Sequence, residues 1–138
     1  MARIQAWLKP YSWEFVTAQN ALLCQARGAF HGPTSEGHGV TRELWVQNHQ
    51  VTMGLEDAVA LCRQCHRLAP FCFYNGNTFA GIIRDVIQSL GLSPAKAYIV
   101  RSLVGHIVAG VSTGEEEQAF HDFCRSLDSD SLGPHSSG

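Results

Sequence analysis

Apolar positions along the chain fall into five stripes of helical period, separated by short polar or glycine-rich breaks. Phe15, Val16, Leu22, Leu23 and Ala26 roughly follow the 3.6-residue period behind Ser12, a residue type that caps helix N-termini. The stripe stops at Gly28, which predicts a helix near 12–27. Leu55, Ala58, Val59, Cys62, Cys65 and Ala69 share one face until Pro70 interrupts it, predicting a helix near 54–69. Phe79, Ile82, Ile83, Val86, Ile87 and Leu90 form the cleanest amphipathic stripe, near 77–91, closing at Gly91. Ser93-Pro94 opens a helix near 94–111 that is apolar over more than half its circumference, from Tyr98 to Val111. Thr113 with Glu116 three residues on forms a capping box for a last helix near 114–127.

The stretch between the first two stripes reads differently. Gly28 to Gly39 is glycine-rich and predicts loops and tight turns. Val40, Arg42, Leu44 and Val46 then alternate with Thr41, Glu43, Trp45 and Gln47, and Gln50 to Met53 follows a turn at Asn48-His49. Such β-favouring runs predict a small antiparallel sheet from about His38 to Met53. The expected fold is therefore α+β, one domain over residues 1–127 with a small sheet packed by about five helices; without strand pairing around Val40 to Val51 it becomes an all-α bundle. Residues 128–138 are acidic, serine- and glycine-rich, and have nothing to bury, so a disordered tail is expected there.

With 138 residues, 45% of them hydrophobic, the chain has material for one core and not for two. The longest apolar-rich stretch, Ala97 to Val111, carries Arg101 and His106 and is shorter than the ~20 apolar residues needed to span a bilayer, so it is expected to be a core or dimer helix. Residues 1–111 hold nine Lys/Arg against six Asp/Glu, whereas residues 112–138 hold one against six. A surplus of three positive charges is too small to argue for nucleic-acid binding, which normally shows as a clustered basic face.

Five cysteines and no export signal after Met1-Ala2-Arg3-Ile4 point to free thiols in a reducing compartment. Cys62-Arg63-Gln64-Cys65-His66 has the spacing of covalent haem attachment. Both cysteines lie on the core stripe, however, and a zinc site built on them with His66 and Cys72 or His49 lacks the second short-spaced ligand pair. They are expected to be buried thiols, with no metal and no cofactor.

The chemistry-bearing feature is an ordered series: Gly37-His38-Gly39-Val40, then His49, an amphipathic helix, and Phe73-Tyr74-Asn75-Gly76-Asn77-Thr78-Phe79-Ala80 at the start of the strongest helix. This order resembles the permuted papain-like arrangement of the lecithin-retinol acyltransferase and NlpC/P60 groups, where a strand histidine precedes an Asn-Cys-x-x-Phe motif. A helix N-terminus lowers a thiol's pKa there and an imidazole acts as base for acyl transfer. Within that arrangement, size and the short Gly-His-Gly-Val box most resemble the H-box/NC class of picornaviral 2A proteins, of kobuvirus type, over residues 36 to 90.

The resemblance implies a site of His38, Asn75 and position 76, but position 76 is glycine and supplies no nucleophile. A catalytically silent viral non-structural protein is thus implied, acting in the host-cell cytoplasm by binding host proteins, RNA or a membrane surface. The competing expectation is a cysteine-dependent acyltransferase or hydrolase that retains His38 and Asn75, its nucleophile either a cysteine that this sequence lacks or the displaced Cys72, with His49 as a second histidine. A purely helical interaction module is the third. The permuted order also requires His38 to lie beside the helix that begins near Asn77, whose free N–H groups the side chains of Asn75, Asn77 or Thr78 are expected to cap.

Overall fold

The computed structural model describes the backbone of residues 4–137 and the side chains of residues 4–127, so the tail expected at 128–138 lies outside the described side chains. Six helices and one two-stranded antiparallel ribbon make up the described residues. The helices are α1 (Trp13–Arg27), α2 (His38–Asn48), α3 (Leu55–Leu68), α4 (Asn75–Gln88), α5 (Pro94–Ala109) and α6 (Gly114–Ser137). The ribbon pairs β1 (Ile4–Gln5) with β2 (Met53–Gly54), Ile4 opposite Gly54 and Gln5 opposite Met53.

Five helices arise where the apolar stripes place them. Helix α1, however, buries Trp13, Val16, Asn20 and Cys24 and leaves Phe15, Leu22 and Ala26 of its expected stripe exposed, because Trp13 and Asn20 meet partners from elsewhere in the fold. The Ser12 hydroxyl accepts from the Phe15 N–H, and Gly28 closes α1 in the left-handed conformation at φ 65°. Ser93 accepts from the Lys96 N–H with Pro94 in the first turn of α5. Thr113 and Glu116 exchange the two bonds of a capping box, at 3.0 and 3.1 Å. Helix α6 runs past the expected end at 127 to Ser137, because backbone hydrogen bonding propagates a helix beyond its apolar stripe.

The sheet expected from His38 to Met53 is not formed; residues 38–48 are helix α2. Alternation misled because it counted Val40 and Val46, which are exposed. Burial instead follows a four-residue step, Gly37, Thr41, Trp45 and His49, which is a helical face. Trp45 drives it: its indole is fully buried, donates to the Tyr11 carbonyl at 2.8 Å and packs against Phe79. Strand structure survives only at Met53–Gly54, paired with the N-terminal residues. The molecule is mostly helical with a small antiparallel ribbon.

Helix α4 is the hub. Phe79, Ile82, Ile83, Val86 and Ile87 are buried, and α1, α3 and α5 pack around it. Helix α5 contributes Val100, Val104, Ile107 and Val108 to the same core, so it is a core helix in this fold. Among the described residues no helix is long and apolar enough to cross a membrane.

Cys62 and Cys65 are buried in that core, as their stripe predicts. Burial pushes both thiols up, Cys62 with a further contribution from Cys65, and Cys65 reaches about 12. Tyr11, buried and bonded to Asp85 at 2.6 Å, is raised as well, first by burial and then by that carboxylate. The folded state therefore holds protons that the unfolded chain gives up in alkali. Stability is expected to be full below about pH 8.5, where unfolded thiols begin to ionise, and to fall as pH rises towards 12. Urea unfolding midpoints measured from pH 7 to 10.5 check this, and Cys65→Ala should flatten the fall.

Candidate functional site

Two loops meet at the start of α4. Residues 32–34 bond to residues 69–72: Thr34 N–H to Pro70 O, Cys72 N–H to Gly32 O and the Thr34 hydroxyl to Ala69 O. A fully buried asparagine, Asn20 of α1, locks this junction from beneath. Its amide donates to Phe73 O at 2.7 Å and to the Thr78 hydroxyl at 3.1 Å, while its oxygen accepts from His31 Nδ1 at 2.8 Å and from the Cys24 thiol. All of its hydrogen-bonding capacity is used inside the protein, as a buried amide requires.

Above the junction, Tyr74 takes the left-handed conformation at φ 61° immediately before α4, an arrangement that costs a non-glycine residue about 1 kcal/mol or more. The Thr78 N–H and hydroxyl both bond the Tyr74 carbonyl and hold it there. No side chain caps α4, contrary to the expectation for Asn75, Asn77 or Thr78. Asn75 turns back instead: its oxygen accepts from the Phe71 N–H and its amide donates to Phe71 O. The N–H groups at the first turn of α4 consequently remain open.

They border a cavity of about 520 Å³ lined by His66, Cys72, Tyr74, Asn75, Gly76 and Arg84 among others. Three of the residues singled out from the sequence, Cys72, Asn75 and Gly76, are thus brought together. The two histidines are not. His38, on α2 rather than a strand, packs edge-on against Trp13 and Phe71 and is not part of the cavity lining. It approaches the site only through Phe71, to whose backbone Asn75 is bonded. His49 is buried at the C-cap of α2, stacked on Trp45 and bonded to the Trp45 carbonyl, and its role is structural.

The histidine that does face position 76 is His66. Its Nδ1 donates to the Val108 carbonyl at 2.8 Å, which fixes Nδ1 as the protonated nitrogen of the neutral ring and leaves Nε2 as the lone-pair site. A Cβ built on Gly76 would lie 3.3 Å from that Nε2 and 3.3 Å from Cε1. Gly76 has ordinary helical backbone, so glycine is not demanded by conformation; what it gives is room for the imidazole. His66 sits beside a Cys-x-x-Cys pair that draws attention to metal chemistry, and the pattern alone carried no sign of its partner across the fold. Among the described residues no three His, Cys, Asp or Glu side chains stand close enough to share a metal ion.

Arg84 closes the far side of the cavity. Its guanidinium lies on Gly105, where a Cβ would come within 2.2 Å of Nη2. It is half-buried, and no carboxylate lines the cavity. Among the described residues the ion pairs are His106 with Glu116 and His121 with Glu56, so Arg84 has no anionic partner. Cys72 is exposed and its thiol points to the Pro33 carbonyl at 3.7 Å.

Set against family models, curated proteins and solved structures, the chain matches none of them.

Asn20→Ala should destabilise the protein by about 2–3 kcal/mol, since it removes the hydrogen bonds that a fully buried amide makes to Phe73, Thr78, Cys24 and His31. The loss is measurable by urea denaturation, and hydrogen exchange should show faster opening at Tyr74 to Thr78 than in α5. Uniform exchange throughout would mean that Asn20 does not anchor the junction.

Proposed function

We propose that this chain is a catalytically silent binding protein, built on a mostly helical scaffold and using the cavity at the start of α4. One observation carries this: an imidazole with a free Nε2 stands opposite position 76, at an open helix N-terminus, and position 76 offers no side chain to activate. A base and N–H donors with no side chain at position 76 can hold a ligand there but lack the thiol that covalent acyl transfer would use at that place.

The order of motifs supports a further proposal, a distant likeness to the H-box/NC class of picornaviral 2A proteins, with host factors, RNA or a membrane surface as partners in the host-cell cytoplasm. In that case His66, not His38, occupies the place of the base. Helix α2 gives the permuted papain-like arrangement no support at residues 38–48 and favours the helical interaction module as the second reading.

A thiol-reactive acyl probe at neutral pH tests this. The natural chain should label slowly. Gly76→Cys places a thiol against His66 at a helix N-terminus and should label on the order of tenfold faster than Cys72, with the gain lost on adding His66→Ala. Rapid labelling of Cys72 in the natural chain, abolished by His66→Ala, would identify a working thiol enzyme and end the silent reading.

A further inference from the structure

Arginines line several cavities: Arg63 and Arg67 share one of about 680 Å³ on α3, and Arg84 and Arg101 share another pair, the one that also carries exposed rings. Arg84 is shared by the α4 cavity and an adjoining one of about 310 Å³ that Tyr98, Arg101 and Ser102 of α5 complete. His66 lines the first, so three cationic or protonatable side chains follow one another across α3, α4 and α5. Neither cavity has a carboxylate in its lining. Among the described residues neither Arg84 nor Arg101 makes an ion pair or hydrogen bond. A half-buried guanidinium such as Arg84, held in place without an anion, is a charge awaiting one from outside.

Aromatic rings sit at both ends of this run. Phe73, at the rim of the first cavity, is 49% exposed, and Tyr98, in the second, is 76% exposed. Tyr74 lines the first between them. Tyr98 on α5 and Phe73 in the loop before α4 are exposed rings that flank these cations. Phosphates carrying flat bases fit cations flanked by rings; a lipid headgroup or an acidic peptide supplies the anion without the faces to stack.

We propose that the paired cavities joined at Arg84 bind single-stranded nucleic acid, with phosphates on Arg84 and Arg101 and bases stacked on Tyr98 and Phe73. This rests on the binding role proposed above and names its partner. Gly105 is the seat that positions Arg84: with no side chain at 105 the guanidinium lies flat against α5 and faces the groove.

Fluorescence anisotropy with a labelled twelve-nucleotide RNA of mixed sequence, titrated with the full chain between 50 and 200 mM salt, tests it. Saturable binding is expected, stronger for the single strand than for the matching duplex. Arg84→Ala with Arg101→Ala should lower the slope of log affinity against log salt by about 1.4, from ~0.7 per phosphate contact. Tyr98→Ala, at an exposed position, should weaken binding about tenfold and leave that slope unchanged. Gly105→Ala keeps the net charge but shifts the Arg84 guanidinium, and should weaken binding by less than the double arginine variant does. Circular dichroism confirms that each variant is folded.

No binding at 50 mM salt overturns the proposal, as does equal affinity for single strand and duplex. So does an unchanged affinity of Tyr98→Ala, or equally tight binding to a polyglutamate peptide or phosphatidylserine vesicles. Failure here with slow probe labelling of the natural chain would leave the silent binding role standing and remove only its partner. Rapid, His66-dependent labelling of Cys72 would instead remove the role itself.

Discussion

Burying helix α4 is the constraint on which the rest of the structure depends. Its stripe from Phe79 to Ile87 is too wide for one neighbour to cover, so α1, α3 and α5 enclose it, and Trp45 of α2 closes the end at Phe79. Each fully buried apolar side chain of this kind contributes about 1.5–3 kcal/mol, and none does so unless the helix ends are also held. The end that matters for function is the first turn. There Asn20, the 32–34 loop and the left-handed Tyr74 fix the backbone from below, leaving its upper side open to a cavity.

That arrangement separates structural from chemical demands. Asn75 serves the loop instead of the helix terminus, so the α4 N–H groups stay available. His66 is tied to α5 through Nδ1 and presents Nε2 to a glycine. Arg84 rests on a second glycine, Gly105, without an anion. Two small residues thus make the space, and two side chains from neighbouring helices fill its walls. The buried thiols of Cys62 and Cys65, on the same helix as His66, belong to the core and hold their protons at neutral pH.

Much of the fold was legible in local pattern. Helices α1, α3, α4, α5 and the start of α6 follow from apolar period and caps, because each signal acts within about four residues. Residues 38–48 were not legible. Their β-branched and alternating residues suit a strand, and only the burial of Trp45 against Tyr11 and Phe79, contacts distant in sequence, selects the helix. The same gap explains His38 and His49: sequence neighbours say nothing of what an imidazole packs against, and His38 lies edge-on to Trp13 while His49 stacks on Trp45.

By itself the sequence determined the places of five helices, the side-chain caps of α1, α5 and α6, the core placement of Cys62 and Cys65, and the clustering of Cys72, Asn75 and Gly76 at one helix start. Those properties depend on neighbours along the chain. Tertiary structure alone decided that α2 is a helix, that His66 rather than His38 faces position 76, and that Arg84 and Arg101 share one groove with exposed rings. Each of these joins residues on different helices, and packing around α4, not any local preference, sets which faces of those helices meet.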